Sequence, residues 1–100
     1  MREISRIREF SGEKSDKSIH EMISEKAIPQ KDEILQYLKS FQPDCSAGML
    51  LQDEITGELL KFGVNGFEDG NYYWDSREIY HFEKYNMQLE KEFVEYVLQK

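Results

Sequence analysis

One hundred residues suit one domain, and a chain of this length buries only about two-thirds of its unfolded surface, which leaves room for one modest core and argues against two. Apolar content of 39%, with 13% aromatic residues, lies above the composition of a disordered chain. A net charge of −7, from 20 acids against 13 bases, weighs against nucleic acid and anionic membrane as partners, because both need Lys and Arg to meet their phosphates.

Residues 1–17 are expected to form a loosely attached arm. Ile4, Ile7 and Phe10 are spaced for either a short helix or an irregular segment, and the polar run Ser11 to Lys17 follows. Arg2, Arg6 and Arg8 precede no continuous apolar stretch, so neither a secretory leader nor a membrane span is expected. With Cys45 as the single cysteine, no internal disulfide can form, and the cytoplasm is the expected compartment.

Ser18 and Glu21 match a capping box, and Ile19, Met22, Ile23 and Ala27 supply an apolar stripe, predicting a helix over 18–26 that Pro29 ends. A second helix over 31–40 starts with Asp32 and Glu33 and turns Ile34, Leu35, Leu38 and Phe41 inward. After Gly48 the period changes. Met49 to Asp53 and Glu58 to Val64 read as strands joined through Ile55-Thr56-Gly57, and Leu60, Phe62 and Val64 alternate on one face. Asp69-Gly70, between Phe67 and Tyr72-Tyr73-Trp74, is the strongest turn signal, and a type I′ turn there needs positive φ at both central residues. Ser76 is placed to cap a helix over 76–85 that Asn86 ends, and a last helix over 89–98 buries Leu89, Phe93, Tyr96 and Val97. Residues 18–100 are thus predicted as a single α+β domain: a three-stranded antiparallel meander packed on one face by about four helices, in the order ααβββαα.

No catalytic, cofactor-binding or metal-ligating motif emerges. His20, His81 and Cys45 are the obvious nucleophile or base candidates, and their neighbourhoods match no nucleophile signature. Asp53 to Glu58 lacks the ligand alternation of a calcium loop, and no phosphate loop follows the glycines. Charge placement says more. Residues 1–30 are neutral, whereas Asp53 to Glu78 holds Asp53, Glu54, Glu58, Glu68, Asp69, Asp75 and Glu78 against only Lys61 and Arg77. Such a field steers basic partners. Asp53, Glu54, Glu58, Glu68, Asp69 and Tyr73 are therefore the candidate partner-binding residues. Tyr72 and Trp74 share a face with Phe62 and read as core before interface, which leaves Tyr73 as the exposed aromatic.

From Gln30 to Gln99 the chain resembles small bacterial immunity proteins of polymorphic or contact-dependent growth inhibition toxin systems. Ile34 to Lys39, Asp53 to Glu58, Asp69 to Trp74, Ile79 to Asn86 and Leu89 to Phe93 carry that resemblance. It implies a cytoplasmic protein, without catalysis or cofactor, that binds one cognate toxin and occludes its active or partner surface; the acidic field suggests a basic nuclease. The alternative class is a non-catalytic adaptor or homodimeric assembly subunit, pairing through an exposed sheet edge. A small enzyme would require a concave pocket with convergent polar groups.

Overall fold

The computed structural model describes residues Met1–Lys100 as an α+β fold with a mixed sheet of four strands and five helices. In chain order these are β1 (Arg2–Glu3), α1 (Arg8–Ser11), α2 (Ile19–Met22), α3 (Lys31–Lys39), β2 (Cys45–Ala47), β3 (Val64–Glu68), β4 (Tyr72–Asp75), α4 (Ser76–Tyr85) and α5 (Lys91–Leu98). The strand order is β1-β4-β3-β2, with β1 parallel to β4 and the other two pairings antiparallel. The sheet therefore differs from the expected three-stranded meander. No helix is long and apolar enough to cross a membrane.

The hairpin of β3 and β4 forms, with its two central residues shifted one position from the expected Asp69-Gly70. Asp69 N–H donates to Tyr72 O, so Gly70 and Asn71 are the central residues; Gly70 has φ 95° and no non-glycine in this turn has positive φ. A single positive φ at the two central residues departs from the expected type I′ turn, which needs two. Asp69 Oδ1 accepts from Asn71 N–H and Tyr72 N–H and clamps the turn. Residues 51–60 form a narrow ribbon instead of two sheet strands: Gln52 bridges Leu59, Leu60 N–H donates to Leu51 O and Asp53 N–H to Glu58 O. The strand that completes the sheet is β2, which sequence reading missed. A Cβ on Gly63 would lie 2.9 Å from the backbone Ala47 O, so the chain entering β3 passes β2 too closely for a side chain there.

Strand alternation sends Tyr72 and Trp74 into the core and Tyr73 to the other face. Trp74 is fully buried against Phe93 (ring centroids 6.1 Å apart) and donates its indole N–H to Leu38 O at 3.3 Å, which ties β4 to α3 and α5. Ile34, Leu38, Phe93, Val97 and Leu89 fill the space beside it, as the helical stripes predict.

Residues before Ser18, expected as a loose arm, are built into this core. Ile4 and Ile7 are fully buried, Arg2 N–H donates to Asn71 O, and Glu90 N–H donates to Ile4 O. Burying two isoleucines contributes about 3 to 6 kcal/mol of transfer free energy, far more than a tethered arm would keep. The radius of gyration, 12.9 Å, is that of one packed domain of this length.

Helix termini depart from expectation at α2, at α4 and at α5, which starts at Lys91 instead of Leu89. The Ser18/Glu21 capping box forms, but α2 ends at Met22, because the chain turns to the loop after α4: Ser24 N–H donates to Tyr85 O and Gln88 N–H to Met22 O. At α4 the cap is Asp75, not Ser76. Asp75 and Glu78 make the capping box, while Ser76 Oγ donates to Gly63 O and accepts from Asn65 N–H. Asn86 ends the helix in the left-handed region at φ 55°.

Candidate functional site

The acid-rich half of the chain separates into three groups. Asp53 is fully buried rather than presented on an exposed turn. Its Oδ1 accepts from the N–H groups of Ile55 (2.8 Å) and Thr56 (2.9 Å), and its Oδ2 from the hydroxyls of Tyr80 (2.7 Å) and Tyr85 (2.6 Å), with Lys84 Nζ at 3.5 Å. Burial alone would raise the pKa, but the Tyr85, Tyr80 and backbone hydrogen bonds outweigh it and hold the carboxylate well below its usual range. Four donors exhaust Asp53. It pins the ribbon to α4 and offers nothing to a partner, which corrects its assignment as a surface contact.

His81 serves the same junction. Its Nδ1–H donates to Arg77 O at 2.7 Å, and its Nε2 accepts from Glu54 N–H at 3.0 Å, which assigns the tautomer. Both ring nitrogens are occupied by backbone groups and the ring is buried, so neither is free to take a substrate proton. Cys45 lies exposed on β2 and His20 exposed on α2. No group of three or more His, Cys, Asp or Glu is gathered to hold a metal.

Asp69 is also spent internally. Besides clamping its turn, it accepts the Tyr37 hydroxyl at 2.6 Å. Partial burial acts upward on its pKa, but the hydrogen bonds from Tyr37, Tyr72 N–H and Asn71 N–H win and lower it. The same pairing, added to desolvation, pushes the Tyr37 phenol upward. Asp69 too is therefore a structural acid.

The third group lies on the sheet face turned away from the core. Tyr73 stands between Glu3 on β1 and Glu68 on β3, since both are its register partners, and cross-strand partners share a face. Tyr73 is 41% exposed and donates to Glu3 Oε1 at 2.8 Å; that bond, with some burial, pushes the phenol up to about 12. Two residues along β4, Asp75 accepts the Arg77 guanidinium at 2.8 Å and its backbone N–H at 2.8 Å. Arg77 stacks over Phe10, 5.0 Å from the ring centroid, and its pKa is raised by Asp75, Glu78 and Glu54. One cation thus sits among three acids.

Glu78 closes this region from beneath. It is buried, accepts Asp75 N–H at 3.1 Å and shares a hydrogen bond with the Ser5 hydroxyl. Desolvation, then repulsion from Asp75, pushes its pKa up to about 8. The cleft over it, lined by Glu3, Ser5, Tyr73, Asp75 and Arg77, encloses only about 80 Å³, too little for a substrate.

Of the six residues singled out by sequence, the structure brings Glu68 and Tyr73 together. Glu54 is half-buried and Glu58 exposed on the ribbon, with Glu54 linked to the acidic face through the field at Arg77. Glu3 is the member that sequence reading missed; a two-residue strand pairing across 70 positions leaves no local signal. A larger groove of about 750 Å³ at the β1 edge holds Arg2, Arg6 and Lys91, but each is paired with an acid, Glu92, Glu90 and Glu95. Comparison with protein-family models, curated proteins and solved structures gives no match.

Proposed function

We propose that this chain is a stoichiometric inhibitor of a basic protein, of the kind that bacterial immunity proteins are, and that it binds through the outer face of its sheet. The observation behind this reading is the row Glu3, Tyr73 and Glu68, carried on three adjacent strands and backed by Asp75. Strands hold these groups rigidly, and an accessible tyrosine among carboxylates gives contact area at low entropic cost beside charges that meet Lys and Arg. Glu54 and Glu58 extend the field along the ribbon.

The mechanism is steric and electrostatic. Carboxylates of the face take the cations with which a nuclease toxin holds nucleic-acid phosphates, and the body of the domain covers the site. No step requires catalysis or a cofactor, and the partner meets the chain in the compartment where both are made, expected to be the cytoplasm.

Co-expression with the polypeptide encoded by the adjoining reading frame tests the reading through bacterial growth. Wild-type chain is expected to restore growth, and the double substitution Glu3→Lys, Glu68→Lys to abolish that protection while leaving the chain folded. Undiminished protection by the double variant, or adjoining frames that encode no growth-arresting protein, overturns the proposal.

A further inference from the structure

Two acids of the chain are buried, and the fold treats them in opposite ways. Asp53 has four donors and stays ionised. Glu78 has two, the Asp75 N–H at 3.1 Å and the hydrogen bond shared with the Ser5 hydroxyl. Both are neutral groups, and a buried carboxylate with so little solvation is more stable as the uncharged carboxyl.

The groups that face Glu78 do not restore its charge. Glu3 on β1 and Asp75 on β4 repel it, Tyr73 beside them carries a neutral phenol, and α1 brings only the uncharged Phe10 and Ser11 to the cleft. Arg77 is the one cation lining that cleft, and it is already engaged: its guanidinium meets Asp75 through Nε and a terminal nitrogen and lies over Phe10. With Glu78 protonated, the cleft holds one carboxylate more than it holds cations; with Glu78 ionised it would hold two more. Glu3 and Tyr73 also belong to the outer row of the sheet, and Asp75 backs it, so a cation seated on that row arrives beside the uncompensated charge.

We propose that docking of a basic partner on this face is coupled to loss of the Glu78 proton, so that a lysine or arginine of the partner replaces the proton and Glu78 becomes the buried counter-ion of the complex. The inference rests on the inhibitor reading and adds that the tightness of inhibition follows pH. The carboxyl O–H bond breaks heterolytically, the electron pair stays on Glu78, and the proton passes to solvent. The cleft of about 80 Å³ over Glu78 has room for a water that carries it away.

Linkage sets the sign and the size. The carboxyl titrates at about 8 in the free chain, and an opposite charge brought within about 4–6 Å makes such a group at least about tenfold the stronger acid. At pH 7 a tenfold change takes Glu78 from about nine-tenths to about one-half protonated, so each complex releases about 0.4 proton. Affinity accordingly rises about fivefold from pH 6 to pH 8. Carboxylates in their ordinary range are ionised throughout that interval, so proton release marks docking over Glu78 and not on the acidic surface at large.

Isothermal titration calorimetry of the full chain with the polypeptide of the adjoining reading frame, at pH 7 in phosphate and in Tris, counts the protons from the difference in apparent enthalpy. Wild type is expected to release about 0.4 proton per complex, and Glu78→Gln to bind without that release. Binding by wild type with no release, or equal release by both proteins, overturns the coupling and leaves the inhibitor reading standing; absence of binding overturns both. Should Glu78→Gln fail to fold, the carbon-13 resonance of the Glu78 carboxyl in wild type decides. It is expected to move toward its ionised position when the partner is added at pH 7, and a resonance that stays in place overturns the coupling.

Discussion

Replacing Glu78 with Gln removes a proton that the fold prefers to keep. In the folded chain the buried carboxyl titrates at about 8 instead of 4.5, because burial and the neighbouring Asp75 both disfavour its charge. An acid whose folded pKa is raised contributes stability that is fully present below its unfolded pKa and is lost as pH climbs through the folded value. The window therefore runs from about 4.5 to about 8, and between pH 5.5 and 7.5 the loss comes to about 2 kcal/mol at 1.36 kcal/mol per pKa unit. For a domain of this size that is a fall on the order of 10 °C in melting temperature. Glutamine keeps an acceptor for Asp75 N–H and a donor for Ser5, yet does not titrate. Differential scanning calorimetry at pH 5.5, 6.5 and 7.5 should thus show wild type losing stability relative to Glu78→Gln as pH rises. Parallel curves for the two proteins would refute the assignment of Glu78 as a buried, largely protonated group.

Two further substitutions probe the framework beneath the acidic face. Asp53→Ala strands the Tyr80 and Tyr85 hydroxyls and two backbone N–H groups, and is expected to cost about 3 kcal/mol in urea denaturation; a loss under about 1 kcal/mol would return Asp53 to the surface set. Ile4→Ala is expected to cost about 3 kcal/mol by the same assay, because Ile4 is fully buried. A change of a few tenths would make the first residues the loose arm that their sequence suggests.

What was legible in the sequence was local. The capping residues Ser18 and Glu21, the stripes of α3 and α5, the chain reversal near Gly70 and the left-handed stop at Asn86 all act within one turn of the chain. Tyr73 was identifiable as the exposed aromatic because strand alternation is strict. The fate of each carboxylate was not legible, because it depends on distant donors. Asp53 is satisfied by hydroxyls 27 and 32 positions away, and Asp69 by one 32 positions before it. Glu78 reads as an ordinary capping glutamate until Ser5, 73 positions away, is packed over it. The strands β1 and β2 are two and three residues long, too short for periodicity to register, and only pairing to β4 and β3 makes them strands. Composition counted the acids correctly, and tertiary structure decided which remained on the surface.

The outer sheet face as a docking surface is tested most directly by stopped-flow association with the polypeptide of the adjoining reading frame, measured against ionic strength. Wild type is predicted to associate fast at low salt and to slow steeply as salt rises, whereas Glu3→Lys, Glu68→Lys should be at least tenfold slower at low salt and nearly indifferent to it. Equal rates and equal salt slopes for the two proteins would contradict the account.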